Sequence, residues 1–132
     1  MKQTTFILLA LFFSSLLQAQ SRFLKINAAV PKQLKQGESF KLKTIVEHNF
    51  IMEKTGGINC TFQNASTHKS VDGWFLNIFP FQYFTTIAQT PFETEFTFTV
   101  PDEYKGKFEI ILVAIADKVK DSVHFTIPVI NK

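Results

Sequence analysis

Phe92, Thr94, Phe96, Phe98 and Val100 alternate with Glu93, Glu95, Thr97 and Thr99. A period of two, with apolar and polar side chains segregated, is the pattern of a half-buried β-strand. Residues 101–106 (Pro-Asp-Glu-Tyr-Lys-Gly) supply turn chemistry, and two more strands follow at residues 108–116 and 122–129, joined by a hairpin at 118–121. The middle one is apolar on both faces: Phe108, Ile110, Leu112 and Ala114 against Ile111, Val113 and Ile115. Such a strand has to be covered on both sides or sit centrally in one of two packed sheets.

At the other end of the chain, Lys2 precedes an apolar run from Phe6 to Leu17, followed by Gln18-Ala19-Gln20. One positive charge, a short apolar core and a small residue at the boundary describe a secretory signal peptide. Residues 1–19 are expected to be removed after Ala19, with an uncleaved anchor as the alternative, although the run is short for a membrane span. Residues 20–132 then form one secreted domain of about 113 residues.

Of the 14 basic side chains only Lys2 lies in the leader, leaving 13 against 11 acidic ones. That balance, without a Lys/Arg cluster and with Arg22 as the lone arginine, argues against a nucleic-acid partner. Thirteen of the 16 phenylalanines fall after the leader, enough to fill a core of this size without disulfides. Cys60 is the single cysteine, so no intrachain disulfide can form.

Within the domain, residues 23–28 read as a short strand, and residues 31–37 as a Pro- and Gly-punctuated loop. Phe40, Leu42, Thr44 and Val46 define the next strand, with Lys41 and Lys43 on its solvated side. After a loop ending at Gly56-Gly57, Ile58, Cys60 and Phe62 share one face of a strand while Asn59, Thr61 and Gln63 share the other. That phase buries Cys60 as an inert thiol and exposes Asn59. Asn59-Cys60-Thr61 and Asn64-Ala65-Ser66 are both glycosylation sequons, for use in a eukaryotic secretory pathway.

Residues 74–84, Trp-Phe-Leu-Asn-Ile-Phe-Pro-Phe-Gln-Tyr-Phe, form the densest aromatic stretch. Both faces are apolar, as in a central strand, yet Pro80 cannot donate to a ladder. One reading is a bent strand crossing between two sheets with both faces in the core. The other is an aromatic wall, exposed or lining a pocket, formed by Trp74, Phe75, Phe79, Phe81, Tyr83 and Phe84, that meets a lipid, a glycan or another partner. About seven short strands with no helical period outside the leader indicate an all-β, antiparallel two-sheet sandwich.

Residues 31–37 leading into the strand at 40–46 resemble the first hairpin region of immunoglobulin-like and fibronectin type III-like domains. Phe96 to Pro101, then Tyr104, Gly106, Phe108, Ile110 and Leu112, resemble the last strands of the same sandwiches. The ending is also similar to that of MD-2-related lipid-recognition domains, which hold lipid between splayed sheets and are normally rich in disulfides. The first resemblance implies a binding or recognition module; the second implies a carrier of an apolar ligand.

Catalytic chemistry is thinly represented. His48, His68, His124 and Cys60 show no metal-ligand spacing. Glu93 and Glu95, two apart on one strand face, suit a solvated sheet surface. Asp102, Glu103, Asp117 and Asp121 sit at turns without the rhythm of a calcium loop. No phosphate loop or nucleophile elbow is present. The expectation is a secreted, non-enzymatic module without cofactor or metal. Its partner is an extracellular protein or glycan, or, in the carrier reading, an apolar ligand.

Overall fold

The alternation at residues 92–100 becomes the edge strand of a three-stranded sheet. In the computed structural model, which describes residues 21–132, there are eight strands: β1 (Leu24–Ala28), β2 (Leu34–Lys35), β3 (Ser39–His48), β4 (Thr55–Asn64), β5 (Phe81–Thr85), β6 (Phe92–Thr99), β7 (Gly106–Ala116) and β8 (Val119–Ile130). The leader expected at residues 1–19 lies outside the described residues. One sheet has the order β1-β3-β6 and the other β2-β8-β7-β4-β5. All pairings are antiparallel except β2 with β8. The chain is an all-β two-sheet sandwich.

Register follows from the alternation, since a slip by one residue would turn every apolar side chain outward. Phe40 faces Phe98 and Leu42 faces Phe96 across β3 and β6, while Lys43 lies opposite Glu95 on the solvated side. Leu42, Thr44 and Val46 are buried and Lys41 and Lys43 exposed, as the pattern requires. β7 sits centrally, between β4 and β8, as its two apolar faces suggest. Phe108, Ile110, Leu112, Ala114 and Ala116 point into the sandwich; Ile111 and Val113 are half-buried on the outer face and Ile115 is exposed there.

The core is built largely of rings. Phe62 lies 4.5 Å from Phe98 between centroids, and Phe75 lies 4.9 Å from Phe108 and 5.0 Å from Tyr104 in edge-to-face contact. These tilted pairings suit the ring quadrupoles and fill space without polar atoms. Tyr104, the polar exception, donates its hydroxyl to the Lys107 carbonyl at 2.9 Å and accepts from Asn64 Nδ2 at 3.0 Å.

Two expectations need correction. The loop assigned to residues 31–37 contains an eighth strand, β2, because Leu34 is drawn into the core and brings Lys35 alongside Ile130. The last hairpin turns at Asp117-Lys118 rather than at 118–121. Both residues have positive φ, 45° and 70°, the left-handed pair of a two-residue type I′ turn. Arg22 donates to the Asp117 carboxylate and holds it below its usual pKa, with Lys54 Nζ 3.8 Å away. That tight turn lets β7 and β8 pair along their full length.

Phe62 touches three other core rings. Phe62→Ala is expected to cost about 3–5 kcal/mol, read by denaturant unfolding. A loss under about 1 kcal/mol would contradict this packing.

Candidate functional site

Residues 74–84 do not form one bent strand. Residues 72–76 make a tight turn, 77–80 are irregular, and only Phe81–Thr85 join a sheet, as β5. Pro80 explains the break. The pairing of β5 with β4 runs from Thr55 opposite Thr85 to Asn59 opposite Phe81, so the next pair is Cys60 with Pro80. Cys60 N–H still donates to the Pro80 carbonyl at 2.7 Å, but proline has no N–H to return. The Asn77 side-chain amide fills that vacancy, donating to the Cys60 carbonyl at 2.8 Å.

Beyond Pro80 the edge of β4 would be open, and the loop supplies its partners. Asp72 Oδ1 accepts from Phe62 N–H at 2.7 Å and from Asn77 Nδ2 at 3.1 Å. Val71 N–H donates to the Phe62 carbonyl, and Asn64 N–H donates to the Lys69 carbonyl. Within the turn, Phe75 N–H donates to Val71 and Asn77 N–H to Asp72, with Leu76 carried to a φ of 57°. A side-chain carboxylate and amide thus stand in for a missing strand.

The anchored turn divides the aromatic residues. Phe75 is fully buried among Phe62, Phe98, Phe108 and Tyr104, and its carbonyl accepts from Thr99 N–H on the edge of β6. Phe84, 4% exposed, stacks on Phe92 at 5.0 Å. Phe75 and Phe84 are therefore core residues, a correction to the expectation that all six rings line a partner surface. Trp74, Phe79, Phe81 and Tyr83 are exposed, Phe79 and Tyr83 by 76% and 77%. Leu76 and Ile78 are exposed beside them.

All of these except Trp74 line two shallow hollows. One, of about 370 Å³, lies between Leu76, Ile78 and Phe79 and the edge of β6 at Thr97–Thr99. The other, of about 490 Å³, runs over the outer face of the five-stranded sheet and is lined by Gly57, Asn59, Phe81, Tyr83, Val113 and Ile115 among others. Phe81 meets Tyr83 edge-to-face at 4.7 Å and lies across Gly57, where any Cβ would collide with its ring. Apolar side chains from β5 and β7 so form a strip along one groove, on a face that has no second layer among the described residues.

Asn59 is half-buried inside that groove, directly opposite Phe81. Asn64 is held inward: its Nδ2 faces the Tyr104 hydroxyl, and its Oδ1 accepts from the Ser66 and Thr67 N–H groups. Cys60 is fully buried, as the strand phase predicts. Burial first, and the nearby Asp72 charge second, push its thiol pKa from 9.0 up to about 12.

The remaining polar candidates are dispersed. His48 Nδ1 accepts from Phe50 N–H, so its Nε2 carries the proton donated to the Thr90 carbonyl at 2.9 Å. It fastens the end of β3 to the loop between β5 and β6. His68 Nδ1 lies 3.7 Å from Glu109, and His124 is exposed on β8. Glu93 and Glu95 are exposed on the outer face of β6. Among the described residues no three His, Cys, Asp or Glu side chains come together as a metal site. Among the same residues no helix is long and apolar enough to cross a membrane.

No protein-family model matches this chain, and no curated protein matches it. Solved structures do. A β-glucosidase from Listeria innocua superposes with a TM-score of 0.57 at 14% identity, covering 84% of this chain and 16% of that one. The same enzyme in complex with isofagomine gives 0.57 at 16% identity over 85% and 16%, and in complex with glucose 0.54 at 12% over 81% and 16%. The present chain spans about one-sixth of those enzymes' length. At such identity the likeness establishes a shared β-fold.

Two outcomes test the site's construction. Asp72→Ala leaves the buried Phe62 N–H unpaired and is expected to cost about 1–3 kcal/mol, while Asp72→Asn, which keeps a carbonyl acceptor, costs less. Equal losses would contradict the acceptor role. Cys60 should resist iodoacetamide at pH 8 until the protein is unfolded, because the native thiol stays protonated. The unfolded thiol ionises near 9.0 and the native one near 12, so this group's contribution to stability declines as pH rises through that interval. Rapid alkylation of the native protein would overturn the burial assignment.

Proposed function

We propose that this chain is a secreted, non-enzymatic recognition module of immunoglobulin-like topology, binding a macromolecular partner through Trp74, Phe79, Phe81 and Tyr83. The observation that carries the reading is the division of the aromatic stretch. Phe75 and Phe84 point inward and complete the core, while Phe79, Phe81 and Tyr83 point outward over shallow, open hollows and Trp74 is exposed nearby. Exposed apolar strips of this kind mark interaction surfaces, and aromatic side chains dominate binding energetics.

The topology supports the immunoglobulin-like part. The run β8-β7-β4-β5 corresponds to the sheet G-F-C extended by one strand, and β1-β3-β6 to strands A, B and E of the opposite sheet. Secretion is supported by the leader-like residues 1–19, and the non-enzymatic reading by the structural employment of His48 and Cys60. If the host glycosylates sequons, Asn59 and Asn64 are the candidate acceptors, both half-buried in the folded domain.

The carrier reading is disfavoured by the centre of the sandwich, where Phe62, Phe75, Phe98 and Phe108 pack ring to ring between the sheets. Native mass spectrometry of the secreted protein, with lipid extraction, separates the two. The module reading expects the polypeptide mass plus any glycan, with no uptake of a fluorescent fatty acid; a stoichiometric co-purifying lipid would replace it by the carrier. A panel of extracellular proteins and glycans should yield a ligand whose binding falls at least about tenfold in Phe79→Ser/Tyr83→Ser. Binding unchanged by that double substitution would sink the assigned surface.

A further inference from the structure

The free edge of β5 differs from the other sheet edges of this molecule. Thr86 N–H donates to the Lys54 carbonyl and Cys60 N–H to the Pro80 carbonyl, so residue pairs 54/86 and 60/80 are hydrogen-bonded. Antiparallel pairs alternate, hence Gln82 and Phe84 bond to β4 while the N–H and C=O groups of Phe81, Tyr83 and Thr85 point away from it. Among the described residues β5 pairs with no other strand.

The remaining edges carry protection. On β1, Ile26 N–H donates to Asp121 Oδ2 at 2.8 Å, and Lys25 supplies a charge. On β6, Glu93 and Glu95 are charged, the Glu95 carbonyl accepts from Gln82 Nε2, and Thr99 N–H donates to Phe75. On β8, Lys120, Asp121 and His124 punctuate the strand. From Phe81 to Thr85 there is no charge and no proline, and Phe81 and Tyr83 stand exposed along it. An uncharged, aromatic edge with free N–H and C=O groups is a template for another strand.

We propose that this edge pairs with the same edge of a second copy, giving a two-fold dimer in which the two five-stranded sheets become one. This deepens the proposed function, on whose surface it rests, by naming the partner. β5 is complementary to itself. Antiparallel pairing about Tyr83 sets Tyr83 beside its counterpart and Phe81 beside Thr85 of the other copy, each exchanging both backbone bonds. Aromatic cross-strand neighbours stabilise such a seam, and no like charges meet across it. The contact is isologous and closes on itself, so it ends at a dimer. It also covers Tyr83, the most exposed ring of the strip, and joins the two outer-face grooves across the dyad.

Sedimentation equilibrium of the full mature protein tests this, alongside Tyr83→Lys, which sets two like charges at the dyad, and Thr85→Pro, which removes one edge donor. Both positions are exposed, and thermal unfolding checks that each variant folds. The wild type should dimerise at concentrations up to about 100 μM, and each variant should weaken association at least about tenfold. His124→Ala, exposed on β8 and three strands away from β5, should leave it unchanged. A wild type that stays monomeric, or a dimer indifferent to Tyr83→Lys and Thr85→Pro, overturns self-pairing. A wild-type monomer that nevertheless binds a ligand from the panel overturns self-pairing alone, whereas a lipid-loaded monomer overturns both readings.

Discussion

The structure depends on how the edge of β4 is completed past Pro80. An antiparallel strand that loses its neighbour halfway leaves N–H and C=O groups open beside a hydrophobic core, where an unpaired group costs about 1–3 kcal/mol. Here Asn77 replaces the N–H that proline lacks, and Asp72 replaces the carbonyl that Phe62 N–H would have met. The two side chains also bond to each other, which ties both ends of the loop's contact with β4 together. Its consequence reaches across the sandwich, since the same turn delivers Phe75 to the interior and its carbonyl to β6 on the opposite sheet.

Core and surface follow from that anchor. With Phe75 seated, the space between the sheets around Phe62, Phe98, Phe108 and Tyr104 is filled by rings, which leaves Cys60 a buried, protonated thiol beside a carboxylate. With the turn closed, Leu76, Ile78 and Phe79 have nowhere to go but outward, and β5 re-enters the sheet as a short edge strand with Phe81 and Tyr83 on its uncovered face. The exposed apolar strip is therefore the outer half of the arrangement that stabilises the inner half. Function, as proposed, uses the residues that the packing leaves over.

Much of the scaffold was legible in the sequence. The alternations at residues 40–46 and 92–100 carry period and face, and the structure keeps their phase; the strand at 108–116, apolar on both faces, is legible as a central strand but not in which face turns inward. The burial of Cys60 followed from the same reasoning. The aromatic stretch was harder because hydrophobicity without a period does not distinguish a central strand from a turn whose side chains diverge. Two signals in it pointed to the outcome: Asp72-Gly73 is turn chemistry immediately before Trp74, and Asn77 is a polar residue inside an apolar run. What those residues bond to could not be read from spacing, because Asp72 and Asn77 meet β4 residues 10 and 17 positions away. β2 is not legible in the sequence for a similar reason, being two residues long and dependent on Leu34 finding the core.

The most direct measurement is amide hydrogen exchange at Phe62 in dilute protein, compared with Leu112 in the centre of β7 and with the solvent-facing amide of Tyr83. If Asp72 and the loop complete the sheet, Phe62 exchanges only through global unfolding, as slowly as Leu112, while Tyr83 exchanges many orders of magnitude faster. Exchange of Phe62 on the fast time scale of Tyr83 would show that the loop opens independently of the sheet, and would contradict the account.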